Sequence, residues 1–247
     1  MSYRKSFFLA PFLLMTLWTS SVAAYRVGLL IVATGRYIEL AKPLIESARR
    51  HFLRRHQVTF FLFTDQVVEE KADVVVLPHR RCGWPYDTLY RYYAYSDHRE
   101  ILSNMDYLFA MDADMLFVKP VGDEILEDLV AVRFPESIKY RESYEKHIES
   151  AAYIGPTEGD VYFAGAFYGG KTSNFFEMMT TVTGMVERDA QHNIMPIWHD
   201  ESYNNRYFID HKPTLVLSPS YCYHEWWAVP YPRKILALEK NYTAMRK

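Results

Sequence analysis

Strand-like and helix-like segments alternate in the first half of the chain, and this pattern is what most limits its possible folds. Short apolar runs at residues 27–33, 58–63, 74–77 and 107–111 have the length of buried strands. Helical patterns occupy the interval from the first run to about residue 55, and again about residues 84–102. Strands separated by helices pair in parallel, because each helix carries the chain back along the face of the sheet to the end where the previous strand began. The sequence therefore predicts an α/β protein with a mostly parallel sheet flanked by helices.

The second half of the chain is less regular. A strand is predicted over residues 161–168, a helix over 173–188, and a dense polar cluster at 197–202 leads into an apolar stretch. Gly165 interrupts the predicted strand, and a glycine in that position often marks the close approach of a ligand or of another backbone. The highly charged segment 139–149 is expected to be exposed, either as a working lid or as a plain solvated helix.

Two acids, Asp112 and Asp114, stand one residue apart between the apolar runs 107–111 and 115–118. In extended chain, residues two apart point to the same side, so both carboxylates can converge on one point. Two adjacent anions repel each other unless a cation joins them, and Mg²⁺ or Mn²⁺ with substrate phosphate oxygens would do so. The alternative is a solvated turn that happens to carry two acids. Ligands on such sheets bind at the carboxyl ends of strands, where the Thr34 and Asp112 loops both lie.

The first 24 residues have the organisation of a secretory signal peptide. Arg4 and Lys5 precede an apolar segment at residues 7–18, and small residues follow up to Ala24. The apolar part is short for a membrane span, so the alternative is a short uncleaved anchor formed by residues 7–18. Either way, the chain is expected to enter an export pathway, and residues 25–247 are expected to form one domain with a large core.

Composition excludes some classes of protein and leaves others open. Apolar residues make up 49% and charged residues 23% of the chain, which is ordinary for a globular protein. The formal charge of −2, without a basic stripe, argues against a nucleic-acid partner. The aromatic content of 16% suits a sugar-binding site as well as an ordinary core. Only Cys82 and Cys222 are present, and the sequence leaves open whether they pair.

Several segments, taken in order, form a recognisable pattern. They are Ala33-Thr34-Gly35-Arg36-Tyr37, Trp84 with Arg91, Met111-Asp112-Ala113-Asp114, Glu149-Ser150-Ala151-Ala152-Tyr153-Ile154, Glu158-Gly159-Asp160, Trp198-His199-Asp200-Glu201-Ser202 and Leu217-Ser218-Pro219. With these segments the chain resembles the retaining α-1,3-galactosyl and N-acetylgalactosaminyl transferases, glycosyltransferase family 6, which includes the ABO blood-group transferases. The resemblance spans about residues 26–246, and the segment from Trp198 to Ser202 is its most specific part.

This resemblance implies a GT-A fold with a Rossmann-like sheet over residues 25–247. It also implies transfer of galactose or N-acetylgalactosamine from a UDP-sugar to a galactoside hydroxyl in α-1,3 linkage, with Mn²⁺ and with retention of configuration. The implied acceptor is a glycan, glycolipid or glycoprotein. The implied donor-binding residues are Val32, Ala33, Thr34, Tyr37, Arg91, Asp112, Ala113, Asp114, Ala164, Gly165, Ala166, Asp200, Lys240 and Arg246. Asp112 and Asp114 would hold the metal, and Lys240 and Arg246 would close over the diphosphate as the tail becomes ordered.

The implied acceptor residues are Ser143, Trp198, His199 and Glu201. Glu201 would also be the catalytic carboxylate, because a negative charge below the reacting sugar carbon favours its oxocarbenium-like transition state. A covalent intermediate on Glu201 and simple charge stabilisation both stay open.

The triplet Ala164-Gly165-Ala166 falls on the positions that discriminate between donors in this family. Alanine at the third position goes with galactose, whereas glycine there leaves room for an acetamido group. Galactose is therefore the expected sugar, although the small Ala164 leaves mixed donor use open.

Two other functions are compatible with the sequence. The chain could be a retaining transferase of the same fold that uses another UDP-hexose, such as UDP-glucose. It could also be a secreted carbohydrate-binding protein that kept the pocket and lost turnover, although the complete set of charged residues argues against this. For an active enzyme, export implies the Golgi or endoplasmic reticulum lumen, or secretion.

Overall fold

A seven-stranded sheet forms the centre of the protein in the computed structural model, which describes residues 23–69, 71–136 and 140–246. The strands are β1 (Arg26–Val32), β2 (Gln57–Thr64), β3 (Val74–Pro78), β4 (Tyr107–Asp112), β5 (Met115–Phe117), β6 (Leu129–Arg133), β7 (Phe163–Lys171), β8 (Leu215–Leu217), β9 (Tyr223–His224) and β10 (Ile235–Ala237). The strand order in the large sheet is β3-β2-β1-β4-β7-β6-β8. Neighbours are parallel except β7, which runs antiparallel to both β4 and β6. The predicted α/β class and mostly parallel sheet are confirmed.

The remaining strands, β5, β10 and β9, form a second sheet of three strands. β5 follows the acid pair directly, and its partner β10 lies close to the C-terminus. The second sheet therefore brings the C-terminal segment beside the Asp112 loop. No local sequence pattern indicated this pairing, because its partners lie more than 100 residues apart in the chain.

Helices cover both faces of the large sheet. They are α1 (Ile38–His51), α2 (Tyr86–Leu89), α3 (Arg91–Asp97), α4 (Arg99–Leu102), α5 (Thr172–Gln191), α6 (Asp200–Asp210) and α7 (Tyr242–Met245). Leu44 and Ala48 of α1 pack against one face of the sheet. The other face packs against α3, α5 and α6, through residues such as Tyr95, Phe175 and Tyr207. The sheet is thus buried on both sides, which is why its strands read as continuous apolar runs.

Several predicted boundaries are wrong by a few residues. The helix predicted to reach residue 55 ends at His51, because Phe52 is extended and Leu53 has a φ of 43°. The long helix predicted over residues 84–102 is divided into α2, α3 and α4. The strand predicted from residue 161 begins at Phe163 and continues to Lys171.

The expectation of an exposed segment at residues 139–149 is only partly correct. Residues 137–139 lie outside the part that the structure describes, and Arg141 and Glu142 are exposed. Tyr144 and Glu145, however, are buried. Both oxygens of the Glu145 carboxylate accept backbone N–H groups, one from His147 at 2.7 Å and one from Ile197 at 2.6 Å. This segment is therefore tied to the loop that precedes α6.

The predicted leader or anchor at residues 1–24 falls almost entirely on residues 1–22, which lie outside the described part of the chain, so it stays a prediction. Among the described residues, no helix has the length and apolar character needed to cross a membrane. Cys82 is exposed and Cys222 is buried, and the two are not joined in a disulfide.

Candidate active site

A cavity of about 230 Å³ opens at the carboxyl ends of β1 and β4. The β1–β4 register places Val32 beside Asp112, so the loops that follow these two strands meet there. Among the residues predicted for the donor, the cavity is lined by Val32, Thr34, Tyr37, Arg91, Asp112, Ala113, Asp114, Lys240 and Arg246. These residues come from distant parts of the chain. The predicted location of the site at the strand ends agrees with this arrangement.

The two acids occupy the tight turn between β4 and β5. Asp112 is the last residue of β4, and Ala113 and Asp114 form the turn. Both carboxylates contact cations: Asp112 Oδ1 lies 2.8 Å from Arg91 Nη1, and Asp114 Oδ2 is bonded to Lys240 Nζ. Asp112 Oδ1 is buried and makes no hydrogen bond of good geometry, so it has coordination capacity to spare.

Arg91 connects the acid turn to α6. Its guanidinium is buried and lies between Asp112 and Asp200, with Nε 3.4 Å from Asp200 Oδ2. Burial raises the pKa of Asp200 to about 6; the Arg91 charge opposes this effect, and the Asp112 charge adds to it. Arg91 thus neutralises only one of the two carboxylates that it contacts, while Lys240 pairs with the other acid of the turn, Asp114.

Glu201, in the first turn of α6, has a donor on each carboxylate oxygen. Oε1 accepts a hydrogen bond from the Tyr162 hydroxyl at 2.6 Å, and Oε2 accepts one from the Gly165 backbone N–H at 2.7 Å. Burial raises the pKa of Glu201 to about 7, an effect that the hydrogen bonds from Tyr162 and Gly165 partly offset. The N-terminal end of α6 also favours negative charge at this position.

Gly165 is the point where β7 comes closest to Glu201. A Cβ added at Gly165 would lie 3.1 Å from Glu201 Cβ and 3.3 Å from Oε2. The prediction that this glycine marks a close approach is consistent with that geometry. The triplet Ala164-Gly165-Ala166 therefore lies directly beside the catalytic candidate, although it does not line the 230 Å³ cavity.

The loop before α6 has an unusual backbone. His199 adopts a φ of 50°, a conformation that residues with a Cβ rarely adopt. Its ring packs edge-on against Trp84, with ring centroids 4.8 Å apart. Trp198 is 49% exposed and presents a free ring surface at this rim. These positions suit contact with a second substrate.

The C-terminal segment lies across the cavity. Arg246 packs its guanidinium over the Trp84 ring at 3.9 Å, and its backbone carbonyl accepts a hydrogen bond from Arg81 at 3.0 Å. Lys240 lies between the Tyr37 and Tyr242 rings. Burial lowers the pKa of Lys240, an effect that Asp112 opposes. The tail thus brings two cations into the same cavity as the acid pair, while its predicted ordering on donor binding stays a prediction.

Nine predicted site residues do not line the cavity: Ala33, Ser143, Ala164, Gly165, Ala166, Trp198, His199, Asp200 and Glu201. Ala33 is fully buried, and its backbone carbonyl accepts a hydrogen bond from the Thr64 hydroxyl at 2.6 Å. Ser143 is partly buried beside Tyr144 in the segment before β7. Their predicted roles in donor and acceptor binding stay predictions.

Sequence reasoning missed several residues of the site. Arg81, Thr88, Tyr242 and Met245 line the cavity, and so does Trp84, for which the sequence suggested no role. Tyr162, which contacts Glu201, was also missed. The nearest signal was the position of Tyr162 three residues before Gly165, but nothing local connects that strand to α6.

Within the described ranges, no cluster of three or more histidine, cysteine, aspartate or glutamate side chains forms a metal site by itself. Two carboxylates are nevertheless the usual protein contribution where substrate phosphates supply the other ligands of Mg²⁺ or a similar ion. Asp112 and Asp114 fit that role, because each carboxylate keeps free lone pairs beyond its ion pair with Arg91 or Lys240. The Lys240 and Arg246 cations can stabilise an anionic leaving group. The separate, partly desolvated Glu201 carboxylate can stabilise a developing cation.

Comparison with known proteins agrees with this geometry. The chain is 31% identical over 241 residues to human globoside alpha-1,3-N-acetylgalactosaminyltransferase 1, covering 89% of this chain and 68% of the relative. It is 32% identical over 241 residues to histo-blood group ABO system transferase 2 of Rattus norvegicus, covering 89% and 71%. It is also 26% identical over 223 residues to the O-antigen biosynthesis glycosyltransferase WbnI of Escherichia coli, covering 87% and 95%.

The family profile of glycosyltransferase family 6 matches residues 13–247. This match covers the α/β sheet, the acid turn, the α6 carboxylates and the tail that lies across the cavity. The chain therefore belongs to glycosyltransferase family 6, and it is a hexosyltransferase that uses a nucleotide-sugar donor and a glycan acceptor.

Proposed function

We propose that this protein transfers galactose from UDP-galactose to a galactoside hydroxyl in α-1,3 linkage, with retention of configuration and with bound Mn²⁺. The observation that carries the proposal is the network of ion pairs from the acid turn through Arg91 to Asp200, which directly precedes Glu201 in the first turn of α6. This network joins a site suited to a diphosphate with a carboxylate suited to the reacting sugar carbon.

Charge separation is the main demand of the reaction. Cleavage of the sugar–phosphate bond leaves UDP with additional negative charge, which Lys240 and Arg246 can stabilise from the tail. Asp112 and Asp114 would hold Mn²⁺, which supplies further positive charge to the diphosphate. Arg91 orients Asp112 through their ion pair.

The sugar carbon becomes cationic as the bond breaks, and Glu201 offers it a carboxylate. Glu201 must be ionised for this role, and the hydrogen bonds from Tyr162 and Gly165 favour that form. It can either form a covalent glycosyl intermediate or stabilise the cation while the acceptor attacks the same face. The tail packed against Trp84 excludes water, which would otherwise compete with the acceptor.

A donor panel tests the proposed function. With Mn²⁺ and a β-galactoside acceptor, we expect UDP release to be fastest from UDP-galactose, with UDP-N-acetylgalactosamine second and UDP-glucose much slower. Omitting the acceptor should leave only slow hydrolysis. Preference for UDP-glucose would show a different donor, and the absence of turnover with every donor would favour a carbohydrate-binding protein.

Ala166 is proposed to exclude the acetamido group of N-acetylgalactosamine. Replacing Ala166 with glycine should raise the rate with UDP-N-acetylgalactosamine relative to UDP-galactose by about tenfold, the discrimination that one methyl group provides. A competition assay with both donors measures the ratio directly. Ala48→Gly is the control, because this fully buried alanine of α1 incurs a comparable backbone cost in a different element from the triplet. An unchanged ratio in Ala166→Gly, or a wild-type preference for N-acetylgalactosamine of tenfold or more, would contradict this role.

A further inference from the structure

The Glu201 carboxylate is held by two neighbouring parts of the chain that act on different oxygens. Tyr162, which precedes β7, donates its hydroxyl proton to Oε1. Gly165, within β7, donates its backbone N–H to Oε2. The carboxylate plane is thus fixed by one side chain and one backbone group. Only proline would remove the Gly165 N–H, and it would also disrupt β7, so Tyr162 is the donor that a mutation can delete without changing the backbone.

Tyr162 is itself held firmly in place. It is 3% exposed, and its ring packs against Phe134 and Tyr144 with centroid distances of 5.3 Å and 5.4 Å. Its backbone carbonyl accepts a hydrogen bond from the Phe134 N–H at 2.8 Å. A buried tyrosine packed in this way has one available position for its hydroxyl, and that position lies on Glu201.

We propose that Tyr162 is a positioning residue for Glu201, holding Oε1 so that Oε2, beside Gly165 and the donor triplet, is the oxygen presented to the donor sugar. This proposal rests on the proposed function for its consequences in catalysis, whereas the contact between Tyr162 and Glu201 is independent of it. A fixed carboxylate loses no orientational freedom when the reaction begins. A carboxylate that rotates freely would have to be ordered at each turnover.

The hydroxyl of Tyr162 also favours the ionised form of Glu201. Burial raises the pKa of Tyr162, and the neighbouring Glu201 charge raises it further, so Tyr162 stays a proton donor. Among the other ionisable groups around Glu201, Asp200 and Asp112 favour its protonated form, and Cys222 is near enough for the Glu201 charge to raise its pKa. Removing the Tyr162 hydroxyl therefore leaves the effect of these two carboxylates on Glu201 less opposed, and the protonated form of Glu201 becomes more favourable.

Tyr162→Phe tests the proposal because it keeps the ring and deletes the hydroxyl. We expect kcat for sugar transfer to fall by about tenfold or more, the effect of losing one hydrogen bond to a charged group. The KM for the donor should stay within about twofold, because the hydroxyl contacts Glu201 and lies outside the donor cavity. The acid limb of the kcat/KM profile should move to higher pH, because Glu201 loses a donor that favours its charged form.

Tyr203→Phe is the matched control. Tyr203 is a buried tyrosine of α6 that donates to a buried carboxylate, Asp189, at 3.0 Å, outside the candidate site. Tyr203→Phe should reduce thermal stability at least as much as Tyr162→Phe does, yet its kcat/KM profile against pH should match that of the wild type. The same displacement of the profile in both variants would assign the effect of Tyr162 to general packing and overturn the proposal.

A spectroscopic measurement separates this proposal from the proposed function. In protein carrying ¹³C-labelled glutamate, the Glu201 carboxyl signal can be assigned by its loss in Glu201→Gln, and its titration can be followed without any substrate. We expect Tyr162→Phe to raise the Glu201 pKa above its wild-type value, and Tyr203→Phe to leave it unchanged. An unchanged pKa in Tyr162→Phe would overturn the proposal even in a protein that transfers sugar. A raised pKa in a protein that transfers none would support the Tyr162 contact while the proposed function fails.

Discussion

Glu201→Gln is expected to reduce sugar transfer by about a thousandfold while making the folded protein more stable at pH 8. The loss follows from the proposed role, because an amide cannot stabilise a cationic sugar carbon as a carboxylate does. The gain in stability follows from burial, which raises the Glu201 pKa from 4.5 to about 7. Ionising such a group costs free energy in the folded state, and glutamine removes that cost.

The sign of the pH dependence is specific. Because the folded pKa of Glu201 is higher than the unfolded value, the folded protein binds the extra proton between about pH 4.5 and pH 7. The wild type therefore loses stability relative to Glu201→Gln as pH rises through this window. Below it, the two proteins should be equally stable. Above it, the difference should be constant, on the order of 3 kcal/mol.

Urea unfolding at pH 4 and pH 8 measures both ends of this window. Asp189→Asn is the control of opposite sign. The Asp189 carboxylate accepts hydrogen bonds from Ser150, Ala151 and Tyr203, so its replacement should destabilise the protein at pH 8. If Glu201→Gln were also destabilising at pH 8, Glu201 would be a structural carboxylate like Asp189.

Asp112→Asn and Asp114→Asn are expected to weaken metal-dependent binding of UDP on the order of a hundredfold each. In the proposed function, each substitution would remove one of the two charged protein ligands of the metal ion. Each also releases a cation, Arg91 or Lys240, from its ion pair. Binding of UDP without metal should therefore change much less than binding with Mn²⁺.

Isothermal titration of UDP, with Mn²⁺ and with a chelator, measures these affinities. Asp97→Asn is the control, because Asp97 is an exposed acid at the end of α3 that does not line the cavity. Thermal unfolding of each variant shows whether the fold is intact. Equal affinity for UDP with Mn²⁺ in the wild type and both variants would show that these acids hold no metal.

The apolar runs of the first half predicted their strands closely because the pattern that marks a buried strand is local. β2 and β3 are each within two residues of the predicted range, and the acid turn follows β4 as expected. Because β1 and β4 pair in parallel, their carboxyl ends at Val32 and Asp112 lie side by side. The class of fold and the edge of the sheet where Val32 and Asp112 meet were therefore determined by the sequence.

The interruption of the helical pattern between residues 84 and 102 could not be read from local periodicity. Tyr92 and Tyr95 of α3 pack into the core, while Arg91 turns toward Asp112 and Asp200. A continuous helix would be compatible with the same spacing of apolar residues. The breaks fall at Tyr90 and His98, whose ψ angles of 5° and 20° depart from helical geometry.

Only the tertiary structure decided how the catalytic candidate is held. Tyr162 and Glu201 are 39 residues apart, and Lys240 and Asp114 are 126 residues apart. Contacts of this kind depend on the antiparallel insertion of β7 between β4 and β6 and on the pairing of β10 with β5. The sequence determined the types of group that the reaction needs, because charge and periodicity are properties of neighbouring residues. The fold alone determined which of these groups meet, because long-range pairing depends on the packing of the whole chain.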